Sequence, residues 1–177
     1  MRSFALSAVG ADRPGIIAAI AERLVAHGLN VTDSQMGILR GFFAMTLVVE
    51  TESVDEDALR ADLSAAAGEL HLEALTLREV HDASQTGDLD AATHVVSVYG
   101  ADHPGILASI TSGLAAAGAN VCDLRTRLVE ADAVYVMVVD VAVPDALDED
   151  ALRAALASVA ERQGVDVTLR AADADTL

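Results

Sequence analysis

Asp12, Gly15, Ile16 and Asn30 are residue types whose spacing could hold a small zwitterion, and the set returns as Asp102, Gly105, Ile106 and Asn120, at a constant offset of 90 residues. A proline, Pro14 or Pro104, precedes each glycine. Proline fixes its own φ near the helical value and biases the residue before it away from the helix, so each stretch reads as a turn handing over to a helix at the proline. Amides of a helix's first turn lack intrahelical partners and lie at the positive end of the macrodipole, which favours a carboxylate there by about 0.3–1 kcal/mol. Here those donors are Gly15 and Ile16, and a glycine lets a ligand approach the backbone closely. Asp12 accepts from an ammonium group, and Asn30 offers both a donor and an acceptor. A purely structural reading is also open: Asp12 or Arg13 caps the helix, Pro14 starts it, and Asn30 holds the turn after Gly28.

The elements that must position these residues follow from periodicity. Residues 3–9 read as a strand ending at Gly10, and Ile16, Ile17, Ile20 and Leu24 form the apolar face of a helix closed by His27 and Gly28. Residues 30–40 and 42–51 read as a hairpin about Arg40 and Gly41. Ser53 to Glu56 has capping-box spacing ahead of a helix with Leu59, Leu63 and Ala66, ending at Gly68, and a fourth strand follows over 70–78. The second copy predicts a strand over 93–98, a helix over 104–117, strands over 120–129 and 134–141, a helix from the Asp148 cap to residue 162, and a strand over 165–170.

Strand, helix, strand, strand, helix, strand, twice over, predicts an α+β protein of two ferredoxin-like units, each a four-stranded antiparallel sheet with two helices on one face. The expected boundaries are a first domain over 1–80, a linker over 81–91, a second domain over 92–171 and a frayed tail over 172–177. A repeat this long is a domain with its own core, not a solenoid unit.

Composition removes several function classes. The chain has 177 residues and a formal charge of −17, from 28 acidic against 11 basic side chains, so its field repels phosphate backbones and anionic lipids. Direct nucleic-acid binding and a membrane association are not expected. Aromatics make up 3% with no Trp, too few for the stacking platform of an RNA-binding sheet. The single cysteine, Cys122, excludes an intramolecular disulfide and a cysteine metal cluster, and it is expected to pack as a small apolar residue in a reduced, cytoplasmic protein. His27, His71, His81, His94 and His103 show no metal-ligand spacing. Met36 and Met45 read as packing on a sheet face. No nucleophile–base pair or phosphate loop is apparent, so no catalytic residue, cofactor or metal is assigned.

The stretch Gly10-Ala-Asp-Arg-Pro-Gly-Ile-Ile17 with Gly28-Leu-Asn-Val-Thr-Asp-Ser34, in both copies, resembles the signature of ACT domains, small regulatory modules that bind amino acids. The tandem arrangement resembles the glycine cleavage system transcriptional repressor family, and the first copy also resembles the N-terminal domain of formyltetrahydrofolate deformylase. By position the resemblance nominates Asp12, Arg13, Gly15, Ile16, Asn30 and Val31, and Asp102, His103, Gly105, Ile106, Asn120 and Val121, as ligand-binding residues in a crevice shared by neighbouring modules. It implies a small amino acid of the glycine or serine class, a homo-oligomer, and action through a protein partner such as a transcription factor. Many ACT domains that bind serine carry Asn where this chain has Asp12 and Asp102; an acid there accepts from ammonium but cannot donate. The alternative is a structural pairing module or regulatory subunit that has lost its ligand.

Overall fold

The computed structural model describes residues 1–80, 91–129 and 134–172. The expected linker, apart from Ala91, and the tail beyond residue 172 lie outside the described residues. The chain divides into two compact units, Met1–Ala83 and Ser84–Leu177.

In the first unit, β1 (Arg2–Ala11) alternates so that Phe4, Leu6 and Ala8 are fully buried. These three meet Phe43, Met45, Leu47 and Val49 of β3 (Phe42–Thr51), Leu77 of β4 (Leu72–Val80), and two helices, α1 (Ile16–Ala26) and α2 (Glu56–Glu69). Ile16, Ile20 and Leu24 of α1 and Leu59 and Leu63 of α2 supply the helical half of that core at helical spacing. With β2 (Asn30–Leu39) the strands order β2-β3-β1-β4, every neighbouring pair antiparallel. The hairpin between β2 and β3 turns on Arg40 (φ 51°) and Gly41 (φ 84°). Both central residues have positive φ, as a two-residue primed turn requires.

The second unit repeats this with β5 (His94–Ala101), α3 (Ile106–Ala117), β6 (Asn120–Val129), β7 (Val134–Ala142), α4 (Glu149–Gln163) and β8 (Val165–Ala171), in the order β6-β7-β5-β8. Its core is Val96 and Val98, Ile106, Ile110 and Leu114, and Leu152, Leu156 and Val159, closed by Met137, Val139 and Val141. Each unit is thus a four-stranded antiparallel sheet with two helices, the α+β arrangement expected.

Local details differ from the expectation. Neither α1 nor α3 starts at its proline: the N-caps are Gly15 (φ 96°) and Gly105 (φ 104°), with no side-chain cap. Neither Asp12 nor Arg13 therefore caps α1, because the left-handed glycine redirects the chain after the proline. The cap of α2 is Asp55, whose carboxylate accepts from the Ala58 amide at 3.1 Å, and not Ser53. The Ser53 backbone is instead tied to Thr51, whose hydroxyl donates to the Ser53 carbonyl at 3.0 Å. Past Gly68, α2 continues to Glu69, and His71 (φ 47°) makes the reversal, so β4 begins at Leu72. Met45 is buried as expected, but Met36 is exposed, because β2 is an edge strand with little packed over it.

Candidate functional site

In each unit the turn after the first strand ends in a bare helix start. The first amide bonded within the helix is Ala19, which donates to the Gly15 carbonyl at 3.0 Å; its counterpart Ser109 donates to Gly105 at 2.9 Å. The amides of Ile16 and Ile17, and of Ile106 and Leu107, precede that first bond and have no intrahelical acceptor. A glycine cap brings no side chain to cover them. The Ile16 and Ile106 side chains point into the cores, while Asp12, Gly15, Asp102 and Gly105 are exposed. Each turn therefore offers backbone donors with a carboxylate two residues before the proline.

The residue between that carboxylate and the proline braces the turn. Arg13 Nη2 donates to the carbonyl oxygen of Glu69, at the end of α2, at 3.2 Å and lies 3.4 Å from His71 Nδ1. In the second unit His103 Nε2 lies 2.7 Å from the Gln163 carbonyl at the end of α4, and Nδ1 lies 3.1 Å from the Pro104 carbonyl. These carbonyls, Gln163 first and then Pro104, hold the His103 pKa above its ordinary value, and the nearby Asp102 carboxylate adds to the effect. Asp102 also faces Tyr135 of β7, whose hydroxyl pKa is raised first by burial and then by that carboxylate. In the first unit the Asp12 amide donates to Gly41 at 2.9 Å, tying the turn to the hairpin tip.

Asn30 and Val31 are not brought to the turn of their own unit. Register places Asn30 opposite Glu50, which pairs with Ser3, whereas the turn follows Ala11 at the other end of β1. Eight residues of strand at about 3.3 Å each separate these levels by about 26 Å. Asn120 and Val121 lie likewise at the His94 end of the second sheet, away from Asp102. No single unit unites the nominated set.

The sequence did not reveal a β-bulge at the start of the edge strand, between Val31 and Asp33 and again between Val121 and Asp123. The extra residues are Thr32 and Cys122. Bulges turn side chains out of the pleat, and Cys122 is accordingly exposed instead of packed. Only the coincidence of Asn-Val-x-Asp in both copies hinted at a special conformation there. A shallow groove of about 480 Å³ between α3 and α4 contains none of the nominated residues. Among the described residues no group of three or more His, Cys, Asp or Glu is placed to hold a metal ion, and no helix is long and apolar enough to cross a membrane.

The family model of the ACT domain matches residues 3–76 and 92–170, one match for each unit. The chain belongs to the ACT domain family. A solved structure of an unknown protein from Galdieria sulphuraria resembles both ACT modules together, with a TM-score of 0.78 and 30% identity over 97% of this chain and 99% of that one. A candidate glycine cleavage system transcriptional repressor shares the fold at a TM-score of 0.74 and 16% identity, covering 97% of this chain and 98% of its own. The phosphoserine phosphatase of Streptomyces coelicolor is 33% identical over 168 residues, which are 92% of this ACT chain but 38% of the phosphatase.

Proposed function

We propose that this chain is a non-catalytic, cytoplasmic regulatory protein that binds a small amino acid, of the glycine or serine class, at the interfaces of its ACT modules. The observation that carries the reading is the uncapped helix start at Gly15 and Gly105, with an exposed aspartate three residues earlier in each module. The amides suit a carboxylate and the aspartates suit an ammonium group. Because Asn30 and Asn120 lie at the far ends of their own sheets, a pocket that uses both turn and asparagine takes the asparagine from a neighbouring module. Arg13, Ile16 and Val31, with His103, Ile106 and Val121, line or brace that pocket in this proposal. Binding would then be coupled to pairing, and a ligand that prefers the paired state shifts the equilibrium by its differential affinity. The output passes to a protein partner, as in indirect control of transcription. The phosphatase likeness covers a minor share of that enzyme, so its activity is not carried over.

Calorimetry and thermal denaturation against the individual amino acids test this. A ligand that binds only the folded state raises stability by RT ln(1 + [L]/Kd). Asn30→Ala with Asn120→Ala is expected to abolish the stabilisation and leave the fold intact. Unchanged affinity in the double variant would place the pocket elsewhere, and no response to any amino acid would favour a pairing module without a ligand.

A further inference from the structure

The two turns are braced by different chemistry: in the first the Arg13 guanidinium meets the Glu69 carbonyl, with the His71 ring beside both, and in the second the His103 imidazole meets the Gln163 carbonyl with no guanidinium in the brace. We propose that His103 is a proton-operated latch on the Asp102-to-Ile106 turn, whereas the first turn is held by the Arg13 guanidinium and needs no proton on a ring to reach its carbonyl. The regulatory meaning rests on the turn being a ligand site; the latch itself does not.

Both His103 ring nitrogens face carbonyl oxygens, at 2.7 Å and 3.1 Å. A carbonyl only accepts, and a neutral imidazole carries one N–H, so neutral His103 must set a nitrogen lone pair against one of the two oxygens. The imidazolium donates to both. Arg13 meets the equivalent carbonyl end with a group that stays charged throughout the physiological range.

The surrounding groups favour the same state. Asp102 on the turn itself is the charge that acts on the ring, and Tyr135 of β7 is the titratable group facing Asp102. The end of α4, whose Gln163 carbonyl meets the ring, is the negative end of a helix dipole; Glu161 and Arg162 are the charged residues of its last turn, and Asp166 follows in β8. The Arg162 guanidinium, the cation at that end, donates back to Ser158 Oγ at 2.6 Å. Gln163 also fastens α4 to α3, its side-chain amide donating to Ser109 Oγ at 2.9 Å, so the latch pulls on a fixed anchor.

The folded-state pKa of His103 lies above the ordinary 6.5. The stabilisation from the closed latch is therefore fully present well below 6.5 and is lost as pH rises through the folded value. An open latch leaves the second turn less fixed and its donors less preorganised, so the second site weakens with rising pH more than the first, where Arg13 keeps its bond to Glu69 whichever way the adjacent His71 ring is protonated.

Ring NMR titration and hydrogen exchange on the full chain test the latch without any ligand. The reporters are the Ser109 and Ala19 amides, bonded to the Gly105 and Gly15 carbonyls that the two turns deliver. As pH rises through the His103 value that the ring titration reads, Ser109 protection, after removal of intrinsic exchange, is expected to fall several-fold while Ala19 protection changes less. His103→Arg is expected to remove the fall, and His103→Gln to give the low value throughout. His103 titrating at or below 6.5, flat Ser109 protection, or the same fall persisting in His103→Arg would each overturn the proposal. Failure of amino-acid binding leaves these readouts unchanged, so the two ideas fail separately.

Discussion

Gly15 and Gly100 are glycines for unrelated reasons, and the difference is measurable. A Cβ at Gly15 would meet nothing within 4 Å, so only its φ of 96° resists a side chain. A Cβ at Gly100 would fall 2.7 Å from Val165 Cγ1 and 3.1 Å from Val165 Cα. Gly15→Ala is expected to cost about 1–2 kcal/mol through the backbone alone. Gly100→Ala is expected to cost about 1–3 kcal/mol through overpacking. Urea denaturation followed by amide signals of each module distinguishes the causes: Val165→Ala should couple to the Gly100 change in a double-mutant cycle, whereas it should add independently to Gly15→Ala. A neutral Gly15→Ala would show that the left-handed cap is not required.

Caps set where the second helix of each module begins. Asp55 and Asp148 occupy equivalent positions, and each accepts from the first-turn amides of α2 or α4. Asp55→Ala and Asp148→Ala are each expected to lose about 1 kcal/mol in chemical denaturation. Ser53→Ala is expected to change stability by less than about 0.5 kcal/mol; a larger loss would restore the capping box read from sequence. This error is instructive. Among the described residues apolar periodicity located eight strands and four helices, since Phe4-Leu6-Ala8 and Ile16-Ile20-Leu24 lie on the buried faces, although Ile17, read onto the same helical face, is exposed because it falls at the edge of the stripe. Caps were harder, because several polar residues in a row could each accept the same amide. The asparagine position needed strand register, which sequence spacing does not supply. The pairing of α1 with α2 was not legible either: Arg23 donates to Asp62 and Glu69, and His27 lies 3.1 Å from Asp62. At the matching places Gly113, Ala117 and Ala155 carry no charge and line the groove between α3 and α4 instead.

For the molecule as a whole, duplication makes the two ACT modules similar without making them equivalent. The first leaves Met36, Ile38, Leu39 and Phe42 exposed by 44, 53, 70 and 58% along its edge strand and hairpin. Such an edge, bearing unpaired backbone groups and apolar side chains, is a surface that proteins usually cover. A homodimer is the expected state in sedimentation velocity at micromolar concentration, and replacing Ile38 and Phe42 by lysine is expected to weaken it. A monomer at every concentration would leave the neighbouring asparagine to come from within one chain. The exposed bulge residue Cys122 has a practical consequence of another kind, because it is the one thiol in 177 residues. A maleimide dye attached there sits two positions from Asn120, giving a fluorescent reporter on the second module without any engineered cysteine. Exchanging Cys122→Thr for Thr32→Cys moves the same dye to the matching bulge of the first module, so occupancy of the two modules can be followed one at a time.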